Sequence, residues 1–123
     1  MKILTKLFLI ITFVFSNVGF ANEHLILDKA PIDLNDQASL QRGAKTFINY
    51  CLNCHSANYM RYNRLIDIGL SDNLIKENLL FTAEKVGEPM KIAMTKKDAK
   101  DWFGANPPDL SVEVRARGAD WIY

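Results

Sequence analysis

Cys51-Leu52-Asn53-Cys54-His55 holds the residues whose types and spacing carry chemistry most clearly in this 123-residue chain, and its two cysteines are the only ones present. C-x-x-C-H is the attachment signature of c-type haem. Thiols three positions apart add across the two vinyl groups of the porphyrin, and the next residue sets an imidazole under the iron. The thioether bonds then hold a cofactor that a small apolar pocket would otherwise release. Three other uses of these residues compete. A structural Cys51–Cys54 disulfide suits an oxidising compartment but gives the adjacent His55 no role. A thioredoxin-like redox pair opens a helix after a strand, whereas this pair closes a helix. A zinc site takes four ligands, and the only other histidine, His24, lies far off near the N-terminus. Covalent haem is the one reading that employs all three side chains.

An electron-transfer haem commonly has a second axial ligand, and methionine in that place raises the potential. Met60 follows His55 by five residues, on the same side of the attachment site, and does not easily reach the opposite face. Met90 and Met94 are far enough along the chain to reach it, although a methionine at ordinary spacing is more often a core filler.

The elements that must position this motif are helical. Asp36 or Asn35 caps a helix running to about Tyr50. Leu40, Ala44, Phe47, Ile48 and Cys51 recur at helical spacing, so one face is expected to be buried. Gly43 falls on that face, where glycine costs about 1 kcal/mol relative to alanine, and close backbone packing would explain it. An aromatic and basic stretch, Tyr59 to Leu65, follows the cysteines. Ser71 caps a short helix to about Leu80, with Leu74, Ile75 and Leu79 apolar. Gly87 and Pro89 break the chain. Thr95 opens a further helix with Asp98 three residues on and Gly104 just past its end. After the Ala105-Asn106-Pro107-Pro108 turn, residues 109–117 read as helical again. No segment shows strand alternation and no repeat is present. The expected fold is all-α, short helices and long loops around a covalent haem.

Composition bounds the rest. Lys2 and Lys6 precede an almost wholly apolar run, Leu7 to Phe15, and Gly19-Phe20-Ala21 is a small-x-small exit of the kind signal peptidase cuts. Residues 1–21 are therefore expected to be a cleaved signal peptide, 22–35 an extended lead-in, and 36–123 the domain. The apolar run is broken by Ser16 and Asn17, short of the roughly 18–20 apolar residues that span a bilayer. Export fits the motif, because c-type haem is attached after translocation. Without the leader the chain keeps 13 basic and 14 acidic residues, a formal charge of −1. Such a balance excludes nucleic-acid binding by bulk charge. With 49% hydrophobic residues the chain is not a disordered acidic tail either. The lysines at 91, 96, 97 and 100 read as a solvated face. No acid–base or nucleophilic constellation is evident.

Longer motifs resemble one family. Arg42-Gly43-Ala44, Tyr50-Cys51-Leu52-Asn53-Cys54-His55-Ser56 and Met60-Arg61-Tyr62-Asn63-Arg64-Leu65 are similar to cytochrome c1. So are Lys85-Val86-Gly87-Glu88-Pro89-Met90, Asp101-Trp102-Phe103-Gly104, Pro107-Pro108-Asp109-Leu110-Ser111 and Arg115-Ala116-Arg117-Gly118. The resemblance runs from about residue 30 to the C-terminus. It implies one covalent haem c, in the haem subunit of ubiquinol–cytochrome c oxidoreductase at the periplasmic face of the inner membrane. The partners it implies are cytochrome b, a Rieske iron–sulfur protein as electron donor and a soluble cytochrome c as acceptor. By motif, Cys51 and Cys54 carry the thioethers and His55 the axial iron bond. Pro108 matches the proline whose carbonyl faces that imidazole, and Arg117 matches an arginine that contacts a haem propionate. From its own surroundings in the sequence, Arg117 reads as a solvated helix charge.

In the family, the second axial methionine and a C-terminal membrane anchor lie downstream of the matching segment. The chain ends on Asp120-Trp121-Ile122-Tyr123, which reads as the start of a helix. A C-terminally truncated subunit with weakly ligated or five-coordinate iron is the resulting expectation. The other electron-transfer reading is a small soluble periplasmic monohaem cytochrome that uses Met90 or Met94 as sixth ligand.

Overall fold

The structure is a computed structural model and describes residues 26–123; the expected signal peptide, residues 1–21, lies outside the described residues. Residues 26–36 carry no helix or strand apart from a turn. The Asp36 side chain then accepts the Ser39 amide at 2.9 Å, satisfying one of the unpaired donors of a helix N-terminus. Helix α1, Gln37–Thr46, grows from that cap. It continues without a break into a π-helical turn, Phe47–Cys51.

Two features differ from the expected all-helical layout. Ala57–Arg61 forms a strand, β1, that pairs antiparallel with the two-residue strand β2, Pro89–Met90. Ala57 stands opposite Met90, and the register shifts before Arg61 meets Pro89. Strand β1 alternates poorly in sequence because its outer residues Asn58 and Tyr59 are exposed while Ala57 is buried. The stretch Tyr62–Ile68 is a 3-10 helix, ended by Gly69 at φ 82°. There a side chain would collide with Gln37 Oε1, 2.9 Å from an added Cβ, so the turn calls for glycine on both counts. Helix α2, Asp72–Asn78, has Ser71 as its cap, and α3, Lys96–Phe103, has Thr95, with Gly104 in the left-handed conformation past its end. Helix α4 covers Glu113–Arg117 and α5 Ala119–Ile122.

The core joins these pieces through Ile48, Leu52, Ala57, Tyr62, Leu65, Ile75, Leu79 and Met90. Of the face expected from helical spacing, Ile48 is buried and Cys51 half-buried, while Leu40, Ala44 and Phe47 are half-buried along a cleft of about 270 Å³. Gly43 lines the same cleft, and nothing lies within 4 Å of where its Cβ would stand. Close packing by the described residues is therefore not the reason for that glycine. Tyr62 is fully buried, yet its hydroxyl meets the Thr82 hydroxyl at 2.9 Å. Ile75 is fully buried on α2 while its neighbour Leu74 is 48% exposed.

Three substitutions test this core by urea unfolding of the chain. Ile75→Ala is expected to cost about 2–5 kcal/mol through lost transfer energy and a residual cavity. Tyr62→Phe is expected to cost about 1 kcal/mol, leaving the Thr82 hydroxyl unpaired. Leu74→Ala should stay within about 0.5 kcal/mol.

Candidate haem-attachment site

The cysteine motif is presented by a distortion of the helix that precedes it. In the π-turn the Leu52 amide reaches back to the Phe47 carbonyl at 2.9 Å, one residue farther than an α-helical bond. The Asn49 and Asn53 side-chain amides donate to the Lys45 and Asn49 carbonyls at 2.8 and 2.9 Å, supporting the widened turn. The Cys51 carbonyl then accepts both the Cys54 amide, at 3.0 Å, and the His55 amide, at 2.8 Å. That double acceptance folds Cys51 to His55 into one turn. Both cysteines are half-buried, with free thiols.

His55 is fixed from outside its own segment. Its Nδ1 stands 2.8 Å from the Pro108 carbonyl oxygen. A carbonyl oxygen only accepts, so Nδ1 carries the proton and donates, and Nε2 keeps its lone pair. A metal-ligating histidine is ordinarily oriented in this manner, its other ring nitrogen bonded to a carbonyl that fixes the tautomer and raises ligand basicity.

The segment bearing Pro108 was expected to turn helical at residue 109, but the helix begins at Glu113. The Asp109 carboxylate explains the delay. Its Oδ1 accepts the Ser111 amide at 2.9 Å, an Asx turn that competes with helix formation. Its Oδ2 accepts the Asn58 amide at 3.0 Å and the Asn58 side-chain nitrogen at 2.6 Å. The Leu110 amide donates to the Ser56 carbonyl at 2.8 Å, and the Tyr59 amide to the Ser111 hydroxyl at 3.0 Å. Burial works to raise the Asp109 pKa, but the hydrogen bonds from Ser111 and Asn58 outweigh it and hold the carboxyl below its usual range. The sequence drew attention to Pro108 and passed over Asn58, Asp109 and Ser111 as site residues. The Asp-x-Ser spacing behind a double proline was the available signal.

Arg117 lies on α4, where its Nε donates to Glu113 Oε2 at 2.7 Å and its guanidinium stacks 4.3 Å above the Trp121 ring. The terminal guanidinium nitrogens make no hydrogen bond among the described residues. Within those residues no hydrogen bond joins Arg117 to the His55 turn.

The three methionines among the described residues are placed as follows. Met90 is 2% exposed in the core, and Met60 is half-buried beside it along the α1 cleft. Met94 lines a different cavity with Pro107 and Asp109, the neighbours of the carbonyl that His55 Nδ1 faces. That cavity is not lined by His55, Cys51 or Cys54.

These residues fit a haem better than a bare ion. Among the described residues no three His, Cys, Asp or Glu side chains are arranged to hold a metal ion. A covalent haem does not ask the thiols to converge with the imidazole. The thiols would meet the porphyrin edge, and only the imidazole would meet the iron. The turn and the helical frame that meets this requirement put the domain in the class of c-type cytochromes.

The comparisons narrow the class. A model of the Cytochrome C1 family matches residues 28–123. The chain is 57% identical over 103 residues to a Nitrosomonas europaea protein named ammonia monooxygenase gamma subunit, covering 84% of this chain and 44% of that one. It is 55% identical over 102 residues to cytochrome c1 of Allochromatium vinosum, covering 82% and 41%. To cytochrome c1 of Rhodospirillum rubrum it is 34% identical over 110 residues, covering 72% and 39%. The chain belongs to the cytochrome c1 family, and that membership implies covalently bound haem c. It spans less than half the length of these relatives.

The acid limit of the Pro108 loop follows from Asp109. A lowered folded-state pKa contributes stability that is complete above the ordinary carboxylate value of about 3.9 and is lost as pH falls through the lower folded value. Relative to the intrinsic exchange rate at each pH, the protection of the Ser111 and Asn58 amides should hold above about pH 4 and fall progressively below it. Equal protection on both sides of that point would show that the Asp109 charge does not hold the loop.

Proposed function

We propose that the chain carries one haem c and relays single electrons from a Rieske iron–sulfur protein to a soluble cytochrome c within the ubiquinol–cytochrome c oxidoreductase complex. When bound, the haem supplies reversible one-electron transfer at its iron. Cys51 and Cys54 would hold the porphyrin edge, and His55 would offer Nε2 to the iron. The observation that carries the reading is the 2.8 Å bond from His55 Nδ1 to the Pro108 carbonyl, which frees Nε2 in a fixed orientation.

Pro108 is suited to its part. Two successive prolines, Pro107 and Pro108, fix φ and restrict the preceding backbone, so the carbonyl is aimed with little conformational freedom left to lose. Arg117 would meet a haem propionate with the terminal nitrogens that Glu113 leaves free, limiting the cost of burying that charge. The protein is exported to the periplasmic face of the inner membrane, where cytochrome b joins the Rieske protein and the soluble cytochrome as partners. No helix among the described residues is long and apolar enough to cross a membrane. The Nitrosomonas relative's name describes that protein. The Allochromatium cytochrome c1 matches nearly the same extent of this chain at nearly the same identity, which supports the haem-carrying reading for the shared segment.

A soluble carrier using an internal methionine is disfavoured by the burial of Met90 in the core and by Met94 lining a cavity that His55 does not line. Met94→Ala should therefore leave the visible spectrum of the haem-loaded chain unchanged. Loss of a methionine–iron charge-transfer band in that variant would restore the alternative.

Attachment itself is tested by expressing the chain with a c-type maturation system and staining a denaturing gel for haem. The wild type is expected to stain, and the Cys51→Ala, Cys54→Ala double variant to lose the stain entirely. A wild-type chain that never stains would remove haem attachment from the proposal. For the assembly, a tagged full-length protein should co-purify with cytochrome b and the Rieske protein from membranes.

A further inference from the structure

The loop that carries Pro108 makes few bonds of its own. The Gly104 amide closes α3 on the Lys100 carbonyl, and the Glu113 amide meets the Leu110 carbonyl at 3.4 Å. Between them, residues 105–112 have no helix or strand. Yet the loop must hold one carbonyl within hydrogen-bond reach of an imidazole 53 residues away in sequence. What holds it is the edge of the segment that leaves His55. Ser56, Asn58 and Tyr59 together make four hydrogen bonds to Asp109, Leu110 and Ser111. Asp109 makes two of these and also shapes the loop from within, through the Ser111 amide. It is the residue next to Pro108, so movement of its anchor passes directly to the Pro108 carbonyl.

We infer that Asp109 is a positioning residue for the axial histidine: by clamping residues 109–111 to residues 56–59, it sets how strongly Pro108 accepts from His55 Nδ1. The inference rests on the haem-carrying reading above and deepens it. A firm Nδ1–H···O bond pushes electron density toward Nε2, makes the imidazole a stronger donor to iron, and favours the oxidised metal. Without the clamp the loop slackens, the bond lengthens and Nε2 becomes a poorer donor. The Asp109 carboxylate bonds Asn58 and Ser111 and makes no hydrogen bond to His55, Cys51 or Cys54. Its effect reaches the site only through Pro108 and His55.

Two variants separate positioning from stability. Asp109→Ala removes all three carboxylate bonds. Asp109→Asn keeps the shape and one acceptor oxygen, which serves either Ser111 or Asn58 but not both. The first readout is the tautomer of His55 from nitrogen chemical shifts of the chain without haem, in mildly alkaline solution where imidazole is neutral. Wild type is expected to hold one Nδ1–H tautomer, Asp109→Ala to show a mixture, and Asp109→Asn to lie between. The second readout is the reduction potential of the covalently haem-loaded chain, which should move positive in the same order. Should Asp109→Ala not fold, the asparagine variant carries the test alone. If both variants melt earlier but keep the wild-type tautomer and potential, Asp109 is only a loop staple and the inference falls. If the wild type takes up no haem, the proposed function fails on that ground. The tautomer experiment still decides the positioning role.

Discussion

One hydrogen bond organises the site: His55 Nδ1 to the carbonyl of Pro108, at 2.8 Å and across 53 residues of chain. An imidazole on a free turn would rotate and exchange tautomers. A carbonyl acceptor removes both freedoms, because it accepts and never donates. The remaining nitrogen then has one direction and one role. The contacts of residues 56–59 with residues 109–111 bear on whether that carbonyl stays in place.

The fold supplies this bond at modest energetic expense. A small core of eight buried side chains ties the π-turn, β1, the 3-10 helix and α2 together, which secures the cysteine turn and the strand leading out of it. The partner loop is not anchored by that core. It is joined by polar contacts along an exposed edge, where each hydrogen bond contributes about 0.5–1.5 kcal/mol net. Several weak bonds in register accomplish what no apolar side chain in the loop could. The carboxylate of Asp109 matters among them because it accepts three donors at once and is charged.

The π-turn is the second device. An α-helix carried unchanged through Cys51 would direct the cysteines by a 3.6-residue period alone. The wider turn at Phe47–Cys51 shifts that phase and leaves the Cys51 carbonyl to close the C-x-x-C-H turn on itself. Such turns occur often at functional sites. Helix patterning could not reveal this one, since Leu40, Ala44, Phe47 and Ile48 fit an ordinary helix and are either buried or half-buried as an ordinary helix would have them.

Chain order alone determined the chemistry that depends on spacing. C-x-x-C-H named the cofactor class, Ser71, Thr95 and Asp36 started their helices, and Gly104 closed one, because caps and attachment motifs act within a few residues. Strand β1 was hidden, for a strand of mixed exposure paired to only two residues has no alternating pattern to show. The false start of a helix at Asp109 came from the same limit. Its carboxylate is held both by the Ser111 amide in an Asx turn and by Asn58, 51 positions away. The tautomer of His55 and the aim of Pro108 were decided by tertiary structure alone, because each depends on groups that only folding brings within hydrogen-bond range.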